Sequence, residues 1–309
     1  MFQCNRSLPR RCAVLAVLLV AVSASCAKAP ADRAPSTTTA SPLVDDFGDT
    51  LRLAAPAGRI VSLNPVMSEA VFAVGAGARM VGRTRWDDAP PAVRTVPDVG
   101  DGLQPNVEAV LATHPDLVVL YATAANRAAA SAFRRAGVQT LTLRTDRMAD
   151  FARAMRALGV ALGDSLTAAA VGDSVFQSLA AVAALPQFDP PVTVFWHAWD
   201  EPLITIGAGS YLDELVTKAG ARNVFGDLPQ PSPQVSLERV VARHPDYILA
   251  GPRAAAHVLS DPRWRAVAAV REGRVLVVDT ALVGRPGVRM GEAAHALRAL
   301  LDSARRGRP

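Results

Sequence analysis

The chain has 309 residues, 50% of them hydrophobic, 20% charged and 5% aromatic, with 23 prolines and 21 glycines. That is enough apolar material for one large core or two modest ones, and it excludes disordered, collagen-like and coiled-coil proteins. The formal charge of +5 is mostly a leader effect, because without Arg6, Arg10 and Arg11 only 30 basic residues face 28 acidic ones; nucleic acid is therefore not an expected partner, and with no run of the ~20 apolar residues that a membrane span needs, neither is a polytopic membrane fold.

The first element is a leader. Arginines precede an apolar run from Cys12 to Val22, and the small residues Ser23, Ala24 and Ser25 stand before Cys26. This order predicts a secretory signal over residues 1–25 and an exported protein. Cys26 is the expected lipid-modified first residue of the mature chain, with Ser23 where leucine is usual. Such acyl chains would hold a domain at the membrane without spanning it. Residues 26–43, rich in Ala, Pro, Ser and Thr, predict a flexible tether. All three cysteines, Cys4, Cys12 and Cys26, lie at this end, so the body is expected to have neither a disulfide nor a cysteine-ligated metal.

Beyond the tether, Asp45 to Ala54 predicts a small hairpin. Strands are expected at Arg59 to Leu63, Leu117 to Tyr121, Gln139 to Leu143, Val192 to Trp196, Tyr247 to Ala250 and Val275 to Asp279, separated by alanine-rich helical stretches. Strand alternating with helix predicts an α/β fold. Two helical patterns in succession, Met148 to Leu162 and Ser165 to Leu185, end at Pro186, Pro190 and Pro191. They divide the body into an N-terminal lobe at 44–158, a connecting helix at 159–188 and a C-terminal lobe at 189–309.

An internal repeat supports two lobes. VEAVLATHPDLVVLY at 107–121 and LERVVARHPDYILAG at 237–251 share Glu, Val, Ala, His, Pro and Asp at identical spacing, and each follows an AGAR, at Ala76 to Arg79 and at Ala219 to Arg222. The first half carries 13 more residues than the second between that AGAR and the repeated Glu. This insertion, with Arg83, Arg85 and Trp86, is a candidate for ligand contact. In each repeat Asn106 or Ser236 is a good N-cap, and His-Pro ends the helix before Asp and a buried strand. Glu108 and Glu238 then fall in the first turn, where the helix dipole favours a carboxylate. His114 and His244, at the helix ends, have a capping explanation that outweighs metal binding.

Enzyme motifs are missing. Met80 stands where a dinucleotide loop starting at Gly75 needs its third glycine, and GxxxxGK[ST], HExxH and GxSxG do not occur. Neither a catalytic residue nor a metal site is expected. The strongest local cluster is Trp196-His197-Ala198-Trp199-Asp200-Glu201-Pro202, after the strand that opens the second half. A loop at the carboxyl end of such a strand faces a ligand crevice. Two tryptophans there would suit a large, partly apolar ligand, and His197 is a candidate toward a metal-bearing one.

Arg59 to Pro65 with Ser68-Glu69, Val81-Gly82 leading to Trp86-Asp87 and Pro90-Pro91, and Asn106 to Val118 together resemble the first lobe of the periplasmic substrate-binding proteins of the iron-siderophore and cobalamin importer family. Gly207 with Tyr211, Ala219-Gly220, Asn223-Val224-Phe225, Pro233 to Ser236 and Glu238 resemble its second lobe. The resemblance implies two similar α/β lobes joined by a long rigid helix, the helical-backbone type of periplasmic binding protein, with a ligand between them. It implies a binding protein, not an enzyme, that passes its ligand to the permease of an ATP-driven importer, and a monomer is expected. Glu108 and Glu238 match the two surface glutamates that dock onto that permease. Asn64, Pro65, Met67, Arg83, Trp86, Trp196, His197, Trp199, Tyr211 and Arg285 are the expected ligand contacts. The ligand expected first is cobalamin, as transported cargo and not a cofactor, through Trp86, Pro90-Pro91, Pro233 to Ser236 and the Arg285 to Arg289 spacing. The cobalamin-binding members have aromatic residues where this chain has Gly102 or Leu103 and Ser232, and Trp196 and Trp199 are expected to substitute. A ferric siderophore held by Arg83, Arg85 and Arg285, then haem with His197 as axial ligand, are the alternatives, and a secreted enzyme or signalling subunit on the same scaffold is the alternative of another class.

Overall fold

The computed structural model describes residues 43–307; the signal at 1–25, Cys26 and nearly all of the tether lie outside them. Each half carries a four-stranded parallel sheet. In the first, β1 (Ile60–Leu63), β2 (Met80–Gly82), β3 (Leu117–Tyr121) and β4 (Gln139–Leu143) take the order β2-β1-β3-β4. In the second, β5 (Thr193–His197), β6 (Arg222–Asn223), β7 (Tyr247–Ala250) and β8 (Val275–Val277) repeat it as β6-β5-β7-β8. The helices α1 (Pro65–Ala73), α2 (Val107–Leu111) and α3 (Asn126–Arg135) belong to the first half. Helices α4 (Met148–Leu162) and α5 (Ser165–Ala183) lie between the sheets in sequence, and α6 (Tyr211–Lys218), α7 (Leu237–Ala242), α8 (Pro252–Ser260), α9 (Ala268–Arg271), α10 (Thr280–Val283) and α11 (Met290–Arg306) follow.

The period of two along each strand sorts its side chains into layers. Ile60, Leu117, Val119, Val194, Trp196, Tyr247 and Leu249 share one continuous core with α1, α4, α5, α6 and α11. Their neighbours turn the other way: Val61, Leu63, Val118 and Leu120 pack on α3, and Phe195, Ile248 and Ala250 pack on α7, α8 and Trp264. One central core thus runs through both halves, and each half has an outer core of its own.

The repeated segments do the same work twice. Asn106 Oδ1 accepts from Ala109 N at 3.0 Å and Ser236 Oγ from Arg239 N at 3.4 Å. His114 and His244 both take left-handed backbone, at φ 48° and 46°. The Asp two residues on then reaches the start of the first strand of its sheet: Asp116 Oδ2 accepts from Arg59 N at 3.0 Å, and Asp246 Oδ2 from Thr193 N at 2.9 Å. Helix end, reversal and strand registration are encoded in one tripeptide.

Three differences from the sequence expectations are informative. The edge strands β2 and β6 are only three and two residues long, too short to leave an alternation. The hairpin reduces to a bridge between Val44 and Thr50, and its turn lies along β4 through Asp46 N to Thr142 O at 2.9 Å, covering a sheet edge. The span 159–188 is not one helix: α4 stops at Gly163, in left-handed backbone at φ 71°, and Asp164 caps α5. Helix α5 is long and apolar enough by composition to cross a membrane, at mean hydropathy 1.3, yet it packs against α4 and α11; its alanine content, invisible as a long run of large apolar residues, accounts for both.

Candidate functional site

A cavity of about 940 Å³ lies between the halves. Parallel strands bring it about, because their carboxyl ends open onto one edge of each sheet. From the first half come Leu63 to Val66 after β1, Thr84 and Trp86 after β2, Tyr121 at the end of β3 and Arg144 to Arg147 after β4. The second half supplies Ile206, Gly209 to Leu212, Pro231, Ser232 and Gly284 to Pro286.

Local hydrogen bonds hold these segments. Asn64 caps α1, its Oδ1 accepting from Val66 N at 3.1 Å, while its Nδ2 donates to Thr145 Oγ1 at 3.4 Å. The loop after β1 is thereby tied to the loop after β4. Asp87 Oδ2 accepts from Thr84 N at 2.8 Å and from Thr84 Oγ1, folding back the turn that presents Trp86. Trp86 is 54% exposed, and its Nε1 donates to Asp101 at 3.3 Å. Among the described residues two hydrogen bonds join the halves: Arg285 Nη2 donates to Trp86 O at 3.0 Å, and Met148 N donates to Glu214 Oε2 at 3.1 Å.

The walls mix apolar and charged surface. Trp86, Leu103, Pro65, Ile206 and Pro231 are the apolar side, and Arg144, Arg147 and Arg285 are countered by Asp146 and Asp150. Tyr121 donates to Asp146, and burial with that carboxylate raises its phenol above the ordinary range. Tyr211 is buried against the cavity with its hydroxyl unpartnered, and burial with the Glu69 charge likewise holds it protonated.

Glu69 is the least comfortable group nearby. It is 8% exposed on α1, and burial pushes its carboxyl from 4.5 to about 7, against the pull of Arg285 and Arg289. Between those two values the folded chain retains a proton that the unfolded chain has lost, so stability falls as pH rises through the window. Glu69→Gln should therefore stabilise the protein by ~3 kcal/mol at pH 8 and hardly at all at pH 4, as read from urea denaturation at both pH values.

Of the ten expected ligand contacts, Asn64, Pro65, Trp86, Tyr211 and Arg285 line the cavity. The other five do not. Met67 is fully buried in the central core, because it lies on the inward face of α1. Arg83 is consumed by the backbone, donating to Val96 O at 3.1 Å and Thr84 O at 2.8 Å. Trp196 and His197 are successive residues of β5, so the pleat sends Trp196 into the central core and His197 to the opposite face against Trp264. Trp199 is 63% exposed and bridges Ile204 on a loop outside the cavity. The two tryptophans therefore do not replace the missing rings, and no histidine lines the cavity as an axial ligand. A ring at position 102 is also excluded, since a Cβ on Gly102 would lie 2.4 Å from Leu63 O. Tyr121, Arg144, Arg147, Asp146 and Asp150 were not anticipated, although the strand-end rule applied to Trp196 points to them after β3 and β4.

Glu108 and Glu238 are both exposed, each in the first turn of a short helix. A helix between parallel strands runs against them, so its N-terminus lies at the edge where the strands end. Both carboxylates therefore stand on the cavity side of their sheets, a few residues from the cavity-lining Leu103 and Ser232. Hydrogen bonding to Ser236 holds Glu238 below the ordinary carboxyl range. Among the described residues no group of three or more His, Cys, Asp and Glu is arranged to hold a metal ion.

Comparison with known proteins agrees with this architecture. The periplasmic binding protein family matches residues 60–282. The vitamin B12-binding protein of Vibrio cholerae serotype O1 is 25% identical over 241 residues, covering 78% of this chain and 87% of that one. The crystal structure of the periplasmic vitamin B12 binding protein of Vibrio cholerae superposes with a TM-score of 0.68 at 26% identity, covering 81% of this chain and 99% of that one. A periplasmic haem-binding protein from Pseudomonas aeruginosa does so with the same score and identity, covering 79% and 92%.

Proposed function

The chain belongs to the periplasmic binding protein family, and on that premise we propose that it captures cobalamin or a related corrinoid between its halves and delivers it to the permease of an ATP-driven importer. Proteins of this kind bind small ligands for transport and do not transform them, and they work outside the cytoplasm. The observation that carries the corrinoid reading is the cavity, whose ≈ 940 Å³ stands at the upper end for small-molecule sites. Its exposed Trp86 and Leu103 offer flat apolar surface to a macrocycle, while Asn64, Thr145, Tyr211 and Ser232 offer hydrogen bonds to the amides around a corrin. The two vitamin B12-binding relatives support the same choice.

Asn64, Pro65, Trp86, Tyr211 and Arg285 are the proposed contacts retained from the sequence, joined by Tyr121, Leu103 and Arg147. Glu108 and Glu238 are proposed to dock onto the permease. Cys26 is proposed as a lipid anchor, and the protein is proposed to act as a monomer. Haem is the second reading, favoured by the Pseudomonas relative and by the three arginines facing the cavity, which could pair with propionates.

The test is titration of the mature protein with cyanocobalamin, haemin and a ferric siderophore, followed by tryptophan quenching. Saturable binding of cyanocobalamin alone supports the proposal; tighter binding of haemin or the siderophore overturns it. Trp86→Ala should weaken the bound corrinoid roughly thirtyfold, as for a buried aromatic anchor worth about 2 kcal/mol, with an unchanged melting temperature because Trp86 is exposed in the free protein.

A further inference from the structure

One wall of the cleft is backed by more acid than base. The segment 285–289 of the second half lies against α1 of the first: a Cβ on Gly287 would stand 3.6 Å from Val66 Cγ1 and 3.8 Å from Glu69 Oε2. Glu69 is buried there at 8% exposed, and Asp87, on the turn after β2, at 2%. Three more charged groups act on Glu69 from the second half: Arg285, Arg289 and Glu292. Arg289 is already engaged, its Nε and Nη2 donating to Glu292 at 2.9 and 3.0 Å. Among the described residues Arg285 forms no such ion pair; it donates to Trp86 O at 3.0 Å and lines the cleft. Two buried carboxylates therefore share one uncommitted guanidinium. A buried carboxylate without a full counter-charge is held more cheaply as the neutral acid, so one of the two keeps a proton near neutral pH. Burial raises the Asp87 carboxyl, but hydrogen bonds from Ser68 and Thr84 pull against it. Glu69 accepts no hydrogen bond among the described residues, and it is the proton's seat.

On its cleft side the same cluster is open to an anion. Tyr211 stands in the cleft wall with Arg285, 5% exposed, and its hydroxyl has no partner. Burial, with the Glu69 and Glu214 charges, keeps that hydroxyl protonated, so it is a donor without an acceptor. We propose that Glu69 couples capture of the ligand to uptake of a proton: an anionic group that draws on Arg285 from the cleft leaves Glu69 without its counter-charge, and Glu69 is protonated as the site fills. Glu69 does not line the cleft, so it acts through Arg285. The proposal rests on the corrinoid reading and adds the part of the ligand that is sensed. Cobalamin carries one negative phosphodiester in its nucleotide loop, a partner for a guanidinium and a phenol hydroxyl. The sign follows from linkage. In the free protein Glu69 releases its proton at about 7, and a bound negative charge moves that release upward. Below 7 both forms hold the proton and affinity is level; above it the free protein has lost a proton that the complex keeps, so affinity falls as pH rises, until the complex loses it too.

The experiment titrates the protein with cyanocobalamin and with dicyanocobinamide, the corrinoid without the nucleotide loop and its phosphodiester, between about pH 6 and pH 8.5. Cyanocobalamin should bind roughly tenfold more weakly at the upper pH, within the reach of one linked proton, and dicyanocobinamide equally throughout. Glu69→Gln, which fixes the neutral form, should bind cyanocobalamin at the upper pH as the unaltered protein does at the lower. Calorimetry at about pH 7.5 in buffers of different ionisation enthalpy should show about half a proton taken up per cyanocobalamin, and none in Glu69→Gln. Cyanocobalamin binding that is level across the range, or a dependence that persists in Glu69→Gln, overturns the coupling and leaves the corrinoid reading standing. An equal dependence for dicyanocobinamide overturns the phosphodiester as its cause and the proposal with it. Binding of neither corrinoid at any pH in the range overturns both the coupling and the corrinoid reading.

Discussion

The paired charge reversal Glu108→Lys with Glu238→Lys should reduce ligand uptake at least about a hundredfold, since like charges placed against each other across an interface cost several kcal/mol. Both carboxylates are exposed and lie at the cleft edge of their sheets without lining the ligand cavity. Corrinoid affinity measured in solution should therefore be unchanged, and so should the melting temperature. Each single reversal should show an intermediate defect, and raising ionic strength should reduce the difference from the unaltered protein, because exposed charges are screened over about 10 Å at 0.1 M salt. Wild-type uptake by the double variant, with normal ligand binding, would remove the docking role from both residues.

Gly207→Ala should cause the largest loss of stability of any single methyl addition in the second half. Residues 205–208 run beside 228–233, with Thr205 N to Pro233 O at 3.1 Å, Gly207 N to Pro231 O at 3.1 Å and Ala208 N to Leu228 O at 2.7 Å. A Cβ at position 207 would lie 2.0 Å from Gln230 O and 2.8 Å from Leu228 O. Both obstacles are backbone, so the two segments must separate. Overpacking of this kind costs about 3 kcal/mol, or a drop of roughly 10 °C in melting temperature. The same separation displaces Ile206, Gly209, Pro231 and Ser232 from the cleft wall, so ligand affinity should fall as well. Gly172→Ala is the control. Its Cβ would meet only Met155, at 3.8 Å, inside α5, and alanine is the better helix former there by about 1 kcal/mol.

Local information carried far into the fold. The strands at Leu117–Tyr121, Gln139–Leu143 and Tyr247–Ala250 and the helix at Met148–Leu162 stand where their patterns put them. The repeat announced two sheets of the same strand order, since a duplicated helix, reversal and strand must pair in the same way twice. The cleft was harder. Trp86, Tyr211 and Arg285 were legible through resemblance, but Trp196 and His197 were assigned by nearness to a strand end, and one residue along a strand reverses the face. Arg83 failed for another reason: nothing in the sequence around an arginine reveals that backbone carbonyls, here those of Thr84 and Val96, will absorb its guanidinium.

The amino-acid sequence by itself determined the α/β alternation, the duplication, the capped helices that present Glu108 and Glu238, and the family, because all of these depend on neighbours within a few residues or on a pattern repeated in order. Only the tertiary structure decided which side chains meet across the halves, that Arg285 reaches Trp86 O, that Glu69 is buried beside two arginines, and that His197 packs against Trp264 instead of lining the cleft. Those outcomes follow from the packing of two sheets on shared helices, where desolvation and approach distance are set by residues far away in the sequence.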